Sequence, residues 1–132
     1  MKTRTKRTAR RPERIEIAFL EALRKRCPDD DQILEALGDL YTRTGRYEDG
    51  LKVDLALVQQ RPREDRVWYN LACSYALVGK TAEALNALER SVSMGYDDFD
   101  HISKDSDLDA IRRDPRFTDL MSRIQKNCDC PI

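Results

Sequence analysis

The chain has 132 residues, of which 36% are charged and 40% are hydrophobic, and its formal net charge at pH 7 is zero. This composition is typical of one soluble, helix-rich domain with a core of modest size. No apolar run approaches the roughly 18 residues that a membrane-spanning helix needs. A secretory signal is excluded because Glu16 and Glu21 interrupt the segment that would have to be apolar. We therefore expect a cytoplasmic protein without a membrane span.

The first predicted element is a basic tail, residues 1–12, which we expect to be disordered. Residues 1–14 carry seven basic side chains against the single acidic residue Glu13. No aromatic residue that could stack on a base is present among them. The tail could attract nucleic acid or another anionic surface, or it could be a solubilising arm. The basic residues are Lys2, Arg4, Lys6, Arg7, Arg10, Arg11 and Arg14.

A helix is predicted over residues 13–27, ending before Pro28. Its apolar residues occupy more than one face, so packing against the following helices leaves an apolar stripe uncovered. This stripe contains Ile15, Phe19 and Ala22, and we expect it to mediate self-association or to dock a helix of a partner. The alternative is that one end of the chain folds back over it.

Two segments, repeat one at 31–64 and repeat two at 65–98, share a pattern at a spacing of 34 residues. In each repeat, apolar positions at i, i+3, i+4 and i+7 predict a first helix, and a glycine marks its end. A second apolar stripe follows and predicts a helix that packs antiparallel to the first. Small residues are expected where the two helices cross closely. The positions that carry the pattern are Leu37, Gly38, Tyr41, Gly45 and Pro62 in repeat one, and Trp68, Leu71, Ala72, Tyr75, Gly79 and Ala84 in repeat two.

This pattern resembles the tetratricopeptide repeat, in which Trp-x-x-Leu-Gly-x-x-Tyr is followed by an Ala, an aromatic residue and a Pro over 34 residues. The chain departs from it at Leu34, where an aromatic residue is usual, at Gly50, where Ala is usual, and at Asp54, where a large apolar residue is usual. The resemblance to small bacterial members of this family implies an all-α, right-handed superhelix of antiparallel helix pairs. Helix 13–27 then corresponds to the second helix of an incomplete repeat.

Residues 99–126 are predicted to form a C-terminal cap. The Asp114-Pro115 pair predicts a helix start, because Asp caps the first turn and Pro fits it. The segment before this pair is expected to form one or two short helices. The whole segment resembles the degenerate terminal half-repeat of bacterial repeat proteins, and residues 127–132 are expected to fray.

Residues that could perform chemistry are few. The only histidine, His101, has no nucleophile with a supporting motif nearby, and the five glycines form no phosphate-binding loop. Cys128 and Cys130 have no second pair of ligands for zinc, whereas Cys27 and Cys73 lie in helical patterns as reduced thiols. We expect neither an enzyme nor a cofactor nor a metal site.

The family resemblance implies a concave groove that binds a partner. A chaperone-type carboxylate clamp is rejected, because Asn70 matches its last position but Glu35 and Asp39 would repel a carboxylate. An acidic entry beside an apolar floor suits a peptide with a basic and a hydrophobic residue; the alternative is that Glu35 and Asp39 form an ordinary solvated helix face. The groove residues that the resemblance implies are Glu35, Asp39, Arg43, Arg66, Tyr69, Asn70, Cys73 and Leu77.

These expectations favour a non-catalytic protein-interaction module, an adaptor or a co-chaperone-like scaffold, that binds a peptide or helix of another protein. A homodimer is possible through the helix at 13–27. The alternative is a nucleic-acid-associated protein that uses the basic tail.

Overall fold

Helices account for most of the chain that the structure describes. A computed structural model describes the backbone of residues 9–129 and the side chains of residues 9–126. This part of the chain forms seven α-helices and one 3-10 helix, and none of it is a strand. The all-α, repeat-type fold predicted from the sequence is confirmed. The chain divides into two units, residues 1–60 and residues 61–132.

Unit 1 contains three helices, α1 (Arg11–Arg26), α2 (Asp31–Arg43) and α3 (Tyr47–Gln60). The beginning of α1 corrects the sequence prediction, because a disordered tail was expected to reach residue 12. Pro12 fits the first turn of the helix, and the Glu13 carboxylate accepts a hydrogen bond from the backbone N–H of Arg10 at 3.1 Å. Residues 1–8 of the predicted tail lie outside the described residues.

Helices α2 and α3 form the antiparallel pair of unit 1. The turn after α2 has Gly45 at φ +80°, in the left-handed region that favours glycine. The N–H of Arg46 donates to the carbonyl of Tyr41 at 2.8 Å, which closes the helix end. A Cβ added at Gly38 would lie 3.4 Å from Val53 Cγ1, and one at Gly50 would lie 3.4 Å from the hydroxyl oxygen of Thr42. The two helices therefore cross closely.

A buried tyrosine ties α1 to this pair. Tyr41 is 4% exposed, and its hydroxyl donates a hydrogen bond to the Glu21 carboxylate. The guanidinium of Arg46 lies 3.5 Å from the same carboxylate and 4.7 Å from the centre of the Tyr41 ring. Burial and the neighbouring Glu21 raise the pKa of Tyr41 above its ordinary value, so the hydroxyl keeps its proton.

Unit 2 contains α4 (Asp65–Leu77), α5 (Thr81–Ser93), α6 (Phe99–Lys104), the 3-10 helix η1 (Ser106–Ile111) and α7 (Pro115–Asp129). The α4–α5 pair buries Leu71, Ala72, Ala84 and Leu85. Gly79 has φ +85° in the turn that joins the two helices.

The indole of Trp68 lies at the edge of this pair. Its Nε1 donates to the carbonyl of Pro62 at 2.8 Å, and the guanidinium of Arg90 lies 4.6 Å from the Trp68 ring. The tryptophan thus fixes the residues that precede α4 and the outer side of α5.

Residues 94–129, which follow α5 and which we call the C-terminal segment, are held together by Arg112. The guanidinium donates to the backbone carbonyls of Ile102, Ser103 and Asp105, so one side chain satisfies three carbonyls at the end of α6. Helix α7 starts at the predicted Asp114-Pro115 boundary, where Asp114 accepts from the N–H of Arg116 at 2.9 Å. It continues to Asp129, into the segment expected to fray. The side chain of Cys128 and all of Cys130 lie outside the described residues.

Candidate functional site

Helix α4 carries the residues of unit 2 that the sequence assigns to a partner-binding groove, and the structure divides them into two groups. Arg66 and Asn70 are exposed, and Leu77 is half-buried. Tyr69 and Cys73 are only 3% and 8% exposed, because η1 packs against their side of α4. The prediction that these two side chains contact a partner is therefore corrected: residues of the same chain cover them.

Tyr69 is held by three residues of the C-terminal segment. Its hydroxyl donates to Asp105 Oδ2 at 2.6 Å. Its ring stacks on that of Tyr96 with centroids 4.4 Å apart and planes 9° apart, and it lies 5.5 Å from the ring of His101. The tyrosine thus joins α4 to the segment that begins after α5.

The carboxylate of Asp105 is the centre of this cluster. Its Oδ2 also lies 3.7 Å from the Cys73 thiol, which donates to it, and 3.4 Å from His101 Nε2. Its Oδ1 accepts the N–H of Asp107 at 3.0 Å, which caps η1. Both carboxylate oxygens are therefore engaged in contacts that position the C-terminal segment on α4.

Burial and nearby negative charge keep the Cys73 thiol and the hydroxyls of Tyr69 and Tyr96 protonated. Burial raises the pKa of the Cys73 thiol above its usual value, and the negative charges of Asp105 and Asp107 raise it further. Burial is also the main cause that raises the pKa of Tyr69, and it contributes most to raising the pKa of Tyr96 to about 12. A protonated, buried thiol is a poor nucleophile. The cluster thus has the properties of a structural contact.

The same cluster contains possible metal ligands. Cys73 Sγ and carboxylate oxygens of Asp105 and Asp107 all lie within 4.8 Å of one another. A metal would require the thiol to lose its proton and Asp105 to exchange its present hydrogen bonds for a metal contact. All buried side-chain nitrogens and oxygens among the described residues already have hydrogen-bond partners, so the arrangement is explained without an ion.

In unit 1, the predicted groove residues lie on α2. Asp39 and Arg43 are exposed and form an ion pair, with Arg43 Nε 3.2 Å from Asp39 Oδ2, and Glu35 is half-buried. Glu35 and Asp39 occupy the positions that Tyr69 and Cys73 hold 34 residues later. The same repeat positions are thus buried in unit 2, whereas in unit 1 one is half-buried and the other is exposed.

The apolar stripe predicted on α1 is exposed within its own unit. Ile15 and Phe19 are 60% and 62% exposed, and Ala22 is exposed as well. Ile17, on the opposite side of the helix, is 3% exposed. Whether the stripe mediates self-association stays a prediction.

A shallow cavity on the outer side of α5 was missed by the sequence analysis. It has a volume of about 510 Å³ and is lined by Asn86, Glu89, Arg90, Ser93 and Met94. The guanidinium of Arg116, on α7, donates to Asn86 Oδ1 at 2.7 Å and lies 3.6 Å from Glu89 Oε2. No sequence motif marks this cavity, whose lining residues lie on α5 and at its C-terminal end.

Similarity to known proteins identifies the type of domain. The family described as "Bacterial transcriptional activator domain" matches residues 4–114, which is most of the chain. The chain belongs to the bacterial transcriptional activator domain family. Such a domain is regulatory rather than catalytic. The match includes α1 to η1 and therefore both Tyr69 and Asp105, and it ends immediately before α7.

A plant protein is also similar to this chain. It is a chloroplast protein of Arabidopsis thaliana that is 28% identical over 90 residues, which are 66% of this chain and 27% of that protein. The match therefore covers about a quarter of the plant protein's length.

Within residues 9–129, no helix combines the length and the apolar character needed to cross a membrane.

Proposed function

We propose that this chain is a non-catalytic protein-interaction domain of a transcription regulator. The exposed side of α2 in unit 1 and that of α4 in unit 2 are each proposed to bind a peptide or helix of another protein. Membership of a family of transcriptional activator domains supports a regulatory role. The repeat pattern supports a tetratricopeptide-like arrangement within each helix pair. We infer a cytoplasmic location from the same family of bacterial regulators.

One observation carries this proposal: α4 already binds a short helix of its own chain. The 3-10 helix η1 packs on α4 and buries Leu108 and Ile111, which are 0% and 1% exposed. A first helix of this repeat type therefore offers a surface that a six-residue helix with two buried apolar side chains can occupy. The positions of α4 that receive it, Tyr69 and Cys73, correspond by repeat spacing to Glu35 and Asp39 of α2.

The side chains of α2 determine which partner it would accept. Glu35 and Asp39 add negative charge where α4 has an aromatic ring and a thiol, so a peptide with a basic and an apolar residue fits best. Arg43 already neutralises one side of Asp39 at 3.2 Å. On α4, Arg66 and Asn70 are exposed and Leu77 is half-buried, and the Arg66 guanidinium lies 3.6 Å from the Glu64 carboxylate. An adaptor or scaffold role needs no more than such exposed sites on a rigid helix pair.

Site-specific photo-crosslinking tests this proposal. A photoreactive amino acid is placed at Asp39 or at Asn70, and at Lys52 as a matched control, because Lys52 is exposed on α3 outside the proposed surface. We expect a discrete protein adduct from positions 39 and 70 in the producing cells, and a weaker one from position 52. Introducing Glu35→Lys should reduce the adduct from position 39. Equal adduct patterns at all three positions would contradict the proposal.

A second candidate function, nucleic-acid association, is supported by the family of transcriptional activator domains and by the basic residues at positions 1–14. Binding of duplex DNA would then fall steeply as salt rises, because phosphate contacts release counterions. Fluorescence anisotropy with labelled duplex DNA, at low and at moderate salt, tests this. Deletion of residues 1–8 removes Lys2, Arg4, Lys6 and Arg7 and ends before α1. Unchanged DNA binding after this deletion would exclude these four residues as the binding element.

A further inference from the structure

Helix α1 presents a stripe of five exposed residues that has an arginine at each end. Arg11, Ile15, Phe19, Ala22 and Arg26 are spaced by four, four, three and four residues, which places them on one face of the helix. All five are exposed. We call this set the α1 stripe. It is distinct from the surfaces of α2 and α4 discussed above.

The α1 stripe cannot turn inward, because the opposite face of α1 is already packed. Ile17 is 3% exposed in the core of unit 1. Glu21 accepts the hydroxyl of Tyr41 and lies 3.5 Å from Arg46, so it is held between α2 and the start of α3. Of the three large apolar side chains that are exposed among the described residues, two, Ile15 and Phe19, lie side by side on the stripe.

The charges at the two ends of the stripe identify the kind of partner. Arg11 and Arg26 are 15 positions apart, which is about 22 Å along an α-helix. A second copy of the chain would bring arginine beside arginine in both the parallel and the antiparallel alignment of two stripes, and like charges oppose such pairing. A helix with an apolar row between carboxylates at both ends complements the stripe in charge and in shape.

We propose that the α1 stripe docks an acidic amphipathic helix of a partner protein, with Phe19 as the central apolar contact and with Arg11 and Arg26 paired to its carboxylates. An anionic membrane surface is a poorer match. A helix that lies in a membrane interface needs a broad apolar face, whereas this stripe has two large apolar side chains and the exposed carboxylate of Glu16 beside it.

Two synthetic helical peptides serve as probes for this site. They share one row of leucines and differ only at its ends, which carry glutamates in one peptide and lysines in the other. Fluorescence anisotropy with the full chain should show that the glutamate peptide binds at least roughly tenfold more tightly than the lysine peptide, a factor that corresponds to about 1.4 kcal/mol. The double variant Arg11→Glu/Arg26→Glu should reverse this preference. Such a reversal cannot result from unfolding.

The apolar part of the proposal is tested with a matched pair of variants. Phe19→Ser should weaken binding of the glutamate peptide by roughly tenfold or more, as expected for the central aromatic contact of an interface. Leu55→Ser is the control, because Leu55 is the other exposed large apolar residue in unit 1, at 36% exposure, and lies on α3. The Leu55→Ser variant should bind the glutamate peptide as tightly as the wild type does. Circular dichroism melts should show that both variants are folded.

Three results would overturn the proposal. The first is equal or absent binding of the two peptides. The second is a doubled mass of the wild type in light scattering that Phe19→Ser abolishes, which would assign the stripe to a second copy. The third is Phe19-dependent binding to phosphatidylglycerol vesicles without binding of the glutamate peptide, which would assign it to an anionic lipid surface.

Discussion

The hydroxyl of Tyr69 donates a hydrogen bond to Oδ2 of Asp105 at 2.6 Å, across 36 positions of the sequence. This bond joins the first helix of the second repeat to the segment that covers it. The same oxygen receives the Cys73 thiol at 3.7 Å, so one carboxylate anchors two residues of α4. A pair of side chains that the repeat pattern assigned to a partner is thereby used for intramolecular packing.

Removing this hydrogen bond should loosen the C-terminal segment. Tyr69→Phe keeps the ring stacked on Tyr96 but removes a donor from the half-buried Asp105, so we expect a loss of about 1–2 kcal/mol in the free energy of unfolding. Urea denaturation monitored by circular dichroism measures it. Tyr96→Phe is the control, since it preserves the same stack and should cost less. Equal losses in the two variants would show that the Tyr69 hydroxyl contributes no special stability.

The helix pairs could be predicted from the sequence because their determinants are local. These determinants are the spacing of the apolar residues, the glycines at positions 45 and 79, and the Asp114-Pro115 pair. Each one specifies the structure of residues close to it in the sequence. The start of α1 was missed because its cap uses Glu13 and the backbone of Arg10, whereas the charge pattern of the segment indicated a tail.

The packing of η1 on α4 could not be predicted in the same way. The repeat pattern places Tyr69 and Cys73 outside the helix-pair core, and it contains no information on where a later segment returns. No motif in the sequence marks Asp105. Its role depends on η1 packing on α4, a long-range contact that a local pattern does not encode.

The buried thiol should make the protein less stable at alkaline pH. Burial raises the pKa of Cys73 in the folded state above the ordinary thiol value of 9.0. The folded protein therefore retains a proton that the unfolded chain loses, and the free energy of unfolding falls as pH rises above about 9. Cys73→Ala should reduce this fall between about pH 8.5 and 10. The part that remains comes from Tyr41, Tyr69 and Tyr96, whose pKa values are also raised in the folded state. Cys27→Ala is the control, because Cys27 is exposed.

Thermal melts across this pH range provide the measurement, and thiol labelling provides an independent check. At about pH 8 a thiol-reactive dye should label Cys27 quickly and Cys73 only when the protein unfolds. Rapid labelling of Cys73 in the folded protein would mean that η1 opens readily. In that case the pH effect would report local opening rather than global stability.

Two glycine substitutions should have opposite effects. Gly50→Ala should be neutral or stabilising by up to about 1 kcal/mol, because the new Cβ would make ordinary contacts at 3.4 Å and 3.7 Å while the helix gains in propensity. Gly79→Ala should destabilise by about 1–2 kcal/mol, because φ is +85° there although no atom lies within 4 Å. Chemical denaturation compares the two. Destabilisation by Gly50→Ala would mean that the α2–α3 crossing tolerates no added methyl group.

Arg112 should be the most sensitive single residue of the C-terminal segment outside its apolar core. Arg112→Ala removes the donor for the carbonyls of Ile102, Ser103 and Asp105 and exposes the Phe117 ring, which lies 5.4 Å from the guanidinium. We expect a loss of about 2 kcal/mol or more, with faster proteolysis between α6 and α7. Arg112→Lys should recover little of this stability, because an ammonium group cannot span several carbonyls as the planar guanidinium does. If Arg112→Lys matched the wild type in both unfolding and limited proteolysis, a single positive charge would suffice and the multidentate geometry would be unimportant.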